Sequence, residues 1–292
     1  MLLSRLQRDS IAALGALYPA PEARSLVLML CEEVLGTTGY TSIVDPSYEV
    51  ADTSRFDALL GRLLTGEPIQ YVLGFTEWCG RRFKVSPSVL IPRPETEILC
   101  REAVATASRL QRMRAAYGKG AAPVRVLDLC TGSGCIAWTL AQSVPGVEAV
   151  AVDISPEALE VAASQPFKGP RPTFVQADIL SDIPSAIAGP FDLILSNPPY
   201  IRESEKASMR PNVLDFEPEL ALFVPDDDPL LFYRAVARWS SALLAPEGFG
   251  AVEINESLPA ETAAVFSEAG FRTEIRRDLA EKPRFVIARK HT

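Results

Sequence analysis

From Val124 onward the chain alternates short apolar runs with stretches of helical length, and this alternation restricts the fold more than any other feature. VRVLDLC, AVAVDIS, TFVQADI and FDLILSNPPY read as four strands. Their near-continuous apolar character is that of strands covered on both faces in a parallel sheet. FGAVEIN reads as a fifth strand, and FRTEIRRD with RFVIARK as a closing antiparallel pair. Helices are expected between them. One runs from about Cys135 to Ser143, and one is capped by Ser155 and opened by Pro156. A long one starts at Asp228 and Pro229 and runs through Leu244, and a last one spans Leu258 to Ala269. Strands that alternate with helices on both faces make a doubly wound α/β sheet. No internal repeat or low-complexity tract interrupts it.

The first 70 residues or so carry a different period. Leu3, Leu6, Ile11, Leu14 and Leu17 fall near helical spacing before Pro19 and Pro21. A second helix is expected from about Glu22 to Leu35, stopped by Gly36. A third starts near Thr53 or Ser54, carries Leu59, Leu60, Leu63 and Leu64 on one side, and ends at Gly66. These stripes read as core, and no catalytic constellation is visible among them. Phe75, Trp78, Phe83 and Val85 around Gly80 suggest a hairpin or extended linker. IPRPETEILCREAV then opens a helix at Pro94, with Glu95 and Glu97 in the first turn where the dipole favours acids. That helix is expected to reach Tyr117, with YGKGAAP (117–123) as a flexible joint. The organisation predicted is a helical domain over 1–73, a hairpin or linker over 74–92 and a Rossmann-like domain over 93–292.

Composition removes several chemistries. The 29 basic and 37 acidic residues leave a net charge of −8, which argues against a chain that grips nucleic acid mainly through phosphates. The single histidine, His291, is next to last and reads as a solvated tail residue. Ser-His-Asp triads, histidine bases and ordinary zinc catalysis are thereby excluded, and no metal is expected. Cys31, Cys79, Cys100, Cys130 and Cys135 are odd in number and lack CxxC spacing, as suits free thiols in a reducing compartment. MLLSRLQRDSIAALGALYP threads charges through its apolar residues, unlike a signal peptide. No apolar run approaches 18 residues, so no membrane span is expected and the protein is read as cytoplasmic.

The first strand ends in Asp128-Leu129-Cys130-Thr131-Gly132-Ser133-Gly134, just before a helix. Open α/β sheets bind nucleotides at this place. Gly132, Gly134 and Ala137 satisfy the dinucleotide pattern G-x-G-x-x-A. Asp128 ahead of the glycines suits the S-adenosylmethionine version instead. On this motif alone a methyl donor, an NAD-type cofactor and a merely tight turn all stay open. Asp153 ends the second strand, where a carboxylate can accept both ribose hydroxyls. Asp178 ends the third, where methyltransferases of this fold hold adenine; it reads equally as a solvated strand-end acid.

Asn197-Pro198-Pro199-Tyr200 at the fourth strand end favours the methyl donor. Consecutive prolines fix φ and donate no hydrogen bonds, leaving a stiff loop with bare carbonyls. With the Asn197 side-chain carbonyl they offer two acceptors to one planar NH2 group, and Tyr200 offers a ring for a flat substrate to stack on. An amide nitrogen is a poor nucleophile. Two acceptors would hold its N–H bonds, aim it and stabilise the positive charge that grows during attack. No histidine base is needed.

In this order, GEPIQYVLGFTEW, FKVSPSVLIPRPETE, DLCTGSGCIA, SNPPYI and FEPELALF resemble the peptide chain release factor N5-glutamine methyltransferases over nearly the whole chain. The resemblance implies a class I S-adenosylmethionine-dependent sheet with a small N-terminal helical domain. It implies a cofactor site at Cys130, Thr131, Gly132, Ser133 and Gly134, Asp153, the Asp178–Ile179 turn and Asn197. Asn197, Pro198, Pro199 and Tyr200 would hold the glutamine of the Gly-Gly-Gln loop of bacterial class 1 release factors. Arg93, Pro94, Glu95 and Thr96 would lie over the cofactor, and Glu253 would help to seat the substrate loop or form a strand-end salt bridge. A monomer is expected. Three positions depart from the family: Cys130 stands where many relatives have glycine, SQPFKGPRP follows the helix after Asp153, and Ile179 is not aromatic. Two other readings compete. An N6-adenine methyltransferase would also use NPPY, but needs a flipped base and a basic track. A non-catalytic or NAD-binding Rossmann protein would leave NPPY without a role.

Overall fold

The computed structural model describes residues 1–116, 122–278 and 280–290. Most of the joint expected over 117–123, and His291, lie outside them. The chain forms two compact units: Met1–Phe75 with Arg210–Phe216, and Thr76–Met209 with Glu217–Thr292.

The first unit packs helices Leu3–Leu14, Ala20–Leu35 and Ser54–Leu63, with shorter ones at Thr41–Val44 and Ile69–Leu73 that the apolar periodicity does not announce. Pro21 does not break the second helix. It sits in the first turn, where a missing N–H costs nothing, so the helix begins ahead of Glu22. Gly36 closes that helix with a left-handed φ of 66°. The core is Leu3, Leu6, Leu14, Val27, Leu30, Phe56 and Leu63. The stripe expected on the third helix needs correction. Phe56 and Leu63 are its buried members, and Leu59 and Leu60 pack partly buried against the same core. Leu64 lies past the last helical residue and is 40% exposed. The unit also includes Arg210–Phe216, whose Arg210 Nη1 meets Glu22 Oε1 at 3.1 Å.

The second unit is built on seven strands: β1 Val124–Leu129, β2 Val147–Asp153, β3 Thr173–Gln176, β4 Phe191–Ser196, β5 Leu244–Glu253, β6 Phe271–Arg277 and β7 Pro283–Lys290. Their order across the sheet is β3-β2-β1-β4-β5-β7-β6. β7 is antiparallel to both neighbours, and the remaining pairs are parallel. Side chains alternate across the sheet. Val124 and Val126 of β1 face a core with Trp138, Leu140 and Phe83, whereas Leu127 and Leu129 face one with Trp239, Val252 and Phe266. The first core packs under the helices Pro94–Ala116 and Cys135–Ser143, the second under Leu231–Leu243 and Pro259–Glu268. Chain order reverses between β1 and β4, the place where such sheets form a binding crevice.

Three boundaries differ from expectation. The long helix starts at Leu231, because Asp228 lies in the preceding turn and pairs with Arg234. β5 begins at Leu244, ahead of FGAVEIN. β3 stops at Gln176, so Asp178 and Ile179 occupy a turn rather than a strand end, with the Asp178 carboxylate accepting from Leu180 N at 2.8 Å. Among the described residues no helix is long and apolar enough to cross a membrane.

Candidate active site

The β1 turn is the first wall of the crevice. Gly132 and Gly134 have φ of 54° and 77°, and a Cβ on Gly134 would lie 3.0 Å from Ala162 Cβ and 3.1 Å from Trp138. Cys130 shares the left-handed backbone at φ 59° with a side chain attached, at a cost of about 1–2 kcal/mol. Its thiol packs into the core beneath the turn, which is how this chain accommodates the missing glycine. Asp128 lies below and is fully buried. Its Oδ2 accepts from Thr131 Oγ1 at 2.6 Å and Ala137 N at 3.2 Å, while Oδ1 has no partner among the described residues. Burial pushes this carboxyl up to about 7. Asp128 thus ties the turn to the following helix.

Asp153 closes the next side. Its Oδ2 accepts from Gly132 N at 2.8 Å and its Oδ1 from Ser155 N at 3.0 Å. Each oxygen keeps a lone pair for a hydroxyl donor. Burial raises this carboxyl too. The Asp178–Ile179 turn is held from behind. Trp239 Nε1 donates to the Ile179 carbonyl at 3.0 Å, as does Arg238 Nη2 at 2.8 Å.

These elements enclose a cavity of about 200 Å³. Of the residues singled out from sequence, it is lined by Thr96, Cys130, Thr131, Gly132, Ser133, Asp153, Asp178, Ile179, Asn197 and Pro199. Asn197 Nδ2 donates to Thr96 Oγ1 at 3.2 Å, which leaves Asn197 Oδ1 free to accept. Among the described residues, no backbone N–H donates to the carbonyls of Asn197, Pro198 or Pro199.

Several expected placements are corrected. Tyr200 does not wall the cavity. Its ring packs with the core beneath β4 and its hydroxyl donates to Glu253 Oε1 at 2.9 Å. Burial beside that carboxylate drives the phenol well above its usual range. Glu253 lies outside the cavity lining and forms no ion pair among the described residues: its second oxygen accepts from Thr96 Oγ1 at 2.6 Å. Of the Arg93–Thr96 stretch only Thr96 reaches the cavity. Arg93 turns to Glu217, with Nη2 2.7 Å from Oε1, while Ile91 N donates to Glu217 Oε2 at 3.1 Å.

That clasp joins two lining segments that lie within FKVSPSVLIPRPETE and FEPELALF, at positions to which the sequence reading gave no site role. Ser88, Val89, Leu90 and Pro92 come from one, and Pro218, Leu220 and Ala221 from the other; Phe232 completes the apolar side. Glu217 is 4% exposed, so removing it takes the partner from a half-buried guanidinium and from the Ile91 backbone N–H together. Glu217→Ala is expected to weaken methyl-donor binding about tenfold, the ordering of both segments then falling on the binding step. Calorimetry measures this directly.

The doubly wound sheet, the glycine turn and the acids at the ends of β1 and β2 define a class I S-adenosylmethionine-dependent methyltransferase fold. A methyltransferase-domain family model matches residues 126–211, and a PrmC N-terminal domain model matches residues 6–74. A solved methyltransferase from Pyrococcus furiosus shares the fold at 15% identity and a TM-score of 0.50, over 81% of this chain and 100% of that one. The release factor glutamine methyltransferase of Bacteroides thetaiotaomicron is 37% identical over 95% of this chain and 96% of its own length. That of Flavobacterium psychrophilum is 31% identical over 98% of both. The chain belongs to the release factor glutamine methyltransferase family.

Proposed function

We propose that the protein methylates the side-chain amide nitrogen (N5) of the glutamine in the Gly-Gly-Gln loop of bacterial class 1 peptide chain release factors. The observation that carries this reading is an Asn197 Oδ1 and proline-loop carbonyls that have no donor among the described residues, with Asn197 and Pro199 on the wall of a cavity of about 200 Å³. The glutamine amide donates its two N–H bonds to these acceptors. Its nitrogen is thereby aimed, and the positive charge that develops on it meets oxygen dipoles fixed in advance. Asn197 and Pro198 take the catalytic part. Pro199 and the Tyr200 backbone shape the loop, and Tyr200 acts from behind it.

The methyl donor is S-adenosylmethionine, which supplies an electrophilic methyl carbon on a cationic sulfur. The lining residues suit it: they include Asp153 and Asp178, apolar Ile154, Ile179 and Phe232, and no lysine or arginine. A dinucleotide pyrophosphate would meet two carboxylates and no cation, which counts against the NAD reading. Cys130 to Gly134, Asp153, Asp178, Ile179 and Asn197 hold the donor. Bound there, the donor would give up its methyl carbon to the amide nitrogen, the C–S electron pair remaining with sulfur, and the nitrogen would lose a proton to solvent.

The helical unit is assigned to docking of the release factor. The protein is read as a cytoplasmic monomer, and its net charge of −8 speaks against nucleic acid as the substrate. The test uses tritiated methyl donor and purified release factor, with a second sample in which the loop glutamine is alanine. Label is expected on the first and not on the second. Equal labelling of both overturns the glutamine assignment, and labelling of DNA or RNA supports adenine as the acceptor.

A further inference from the structure

Thr96 and Tyr200 share the two carboxylate oxygens of Glu253 behind the NPPY loop. Glu253 ends β5 and is 2% exposed. Its Oε1 accepts from Tyr200 Oη at 2.9 Å and its Oε2 from Thr96 Oγ1 at 2.6 Å. Thr96 comes from the first turn of the helix Pro94–Ala116 and has a second partner, Asn197 Nδ2 at 3.2 Å. The order of donors along this chain is not arbitrary. An ionised carboxylate only accepts, so the one hydroxyl proton of Thr96 is committed to Glu253. Thr96 Oγ1 then has lone pairs alone to show Asn197. The Asn197 carboxamide must turn its NH2 inward, because its oxygen would face the lone pairs of Thr96.

We infer that Glu253, through Thr96, is the positioning residue that sets which end of the Asn197 carboxamide faces the cavity. The inference rests on the glutamine reading above for its catalytic meaning: reversed, Asn197 would present an NH2 to a substrate NH2, and the acceptor pair would be lost. The second Glu253 oxygen does the matching work on the far side of the loop. It anchors the Tyr200 hydroxyl while Asn255 Nδ2 holds the Tyr200 carbonyl at 3.0 Å. Both ends of the proline pair are therefore tied to β5 and the residue pair just after it.

The relay requires the ionised form. Burial raises the Glu253 carboxyl above the usual glutamate range, Glu95 adds to this, and Arg284 from the adjacent β7 opposes it. Tyr200 and Tyr233 are the other titratable neighbours, and burial keeps both phenols neutral. A protonated Glu253 would become a donor to one of its two hydroxyls and would break the fixed order. Activity therefore falls as pH drops toward the Glu253 carboxyl, at a higher pH than an ordinary glutamate would give.

The decisive substitution is Glu253→Gln, which keeps shape and replaces one acceptor by a donor. When its amide NH2 faces Thr96, the Thr96 proton is released toward Asn197 and the carboxamide can turn over. The expected loss in kcat is roughly 10- to 100-fold, the weight of a charge-assisted hydrogen bond, with methyl-donor affinity unchanged by calorimetry. Thr96→Val should produce a comparable loss, and Thr96→Ser, which restores the hydroxyl, should recover most of it. The double variant Glu253→Gln/Thr96→Val should be no worse than the more impaired single, since both act through one carboxamide. The acid limb of the kcat profile should be missing from Glu253→Gln. Wild-type kcat in Glu253→Gln, or losses that multiply in the double variant, would overturn the inference. If Glu253→Gln does not fold, the Thr96→Val and Thr96→Ser pair decides by the same criterion.

A second readout needs no methyl acceptor. In the wild-type protein the side-chain Nδ2 protons of Asn197, followed by 15N-edited NMR, should exchange slowly with water. In Thr96→Val and Glu253→Gln that protection should disappear. Unchanged protection in both variants sinks the relay even if the enzyme methylates glutamine, and lost protection upholds it even if another amine proves to be the acceptor.

Discussion

Asn197→Ala should reduce methyl transfer to the release factor by roughly 100- to 1,000-fold, the range seen when one preorganised polar group facing a transition-state charge is removed. Methyl-donor affinity should change only a few-fold, because the proposed site also holds the donor through the glycine turn, Asp153 and the Asp178–Ile179 turn. The asymmetry follows from placement. Asn197 Oδ1 has no partner among the described residues, whereas Nδ2 is spent on Thr96. What alanine removes is therefore one acceptor for the incoming amide, together with the aim that acceptor provides. Asn197→Asp is the sharper control. It retains an acceptor of the same size but sets a carboxylate against the lone pairs of Thr96, in a network already holding Glu253. It should not rescue. Single-turnover kinetics at saturating donor separate the chemical step from binding. Near-wild-type turnover in Asn197→Ala would refute nitrogen activation by paired acceptors.

How far the sequence could foretell this site depends on how local each contact is. The glycine turn, Asp153 and NPPY each sit at the end of a strand, and a parallel sheet brings strand ends to one edge whatever the loops do. Their convergence follows from strand order alone. The Ser155 cap was legible for a similar reason, since its hydroxyl bonds Ala158 N three residues on, at 3.0 Å. Contacts between distant loops were not. Nothing in IPRPE reveals that Arg93 abandons the cofactor for Glu217, and nothing in NPPY shows that the Tyr200 ring turns into the core. Aromatic residues serve equally as stacking platforms and as core, and only the neighbours that cover them decide. The grouping of Arg210–Phe216 with the N-terminal unit is likewise invisible to any division made along the chain.

Glu253 shows how a residue type can be assigned to a site while its partners stay hidden in the sequence. An acid at a strand end reads as solvent-facing or substrate-facing, because isolated buried carboxylates are costly. The cost is met here by two hydroxyl donors from separate segments, one on the helix after IPR and one after the prolines. Neither was identifiable as a partner before the sheet and that helix were in place. The same holds for Cys130. A left-handed backbone was foreseeable from the glycines around it, but a thiol packed under the turn depends on the core that receives it.

Asp153→Ala should raise the methyl-donor dissociation constant about 30- to 100-fold while leaving kcat at saturating donor within a few-fold. One part of that loss is the acceptor for ribose hydroxyls, about 1.5–3 kcal/mol for bonds to a charged group. The other is the release of Gly132 N, whose bond to Asp153 Oδ2 at 2.8 Å holds the turn in its binding form. Because burial raises this carboxyl, its protonation should weaken donor binding at a higher pH than an ordinary aspartate would. Stability should move the opposite way. Asp128, raised from 3.8 to about 7, favours the folded state most when protonated. The stability it confers is complete below its unfolded value and is lost as pH rises through about 7. Between those two values the loss is on the order of 1.4 kcal/mol for each pH unit. On going from pH 8 to pH 6 the donor-free protein should therefore gain thermal stability from Asp128, whereas protonation of Asp153 lowers donor affinity as pH falls. Asp128→Asn should flatten the first trend and leave the second. An Asp153→Ala protein with an unchanged donor dissociation constant by calorimetry would remove the ribose role, and parallel trends of stability and affinity with pH would show that neither carboxyl titrates as its burial requires.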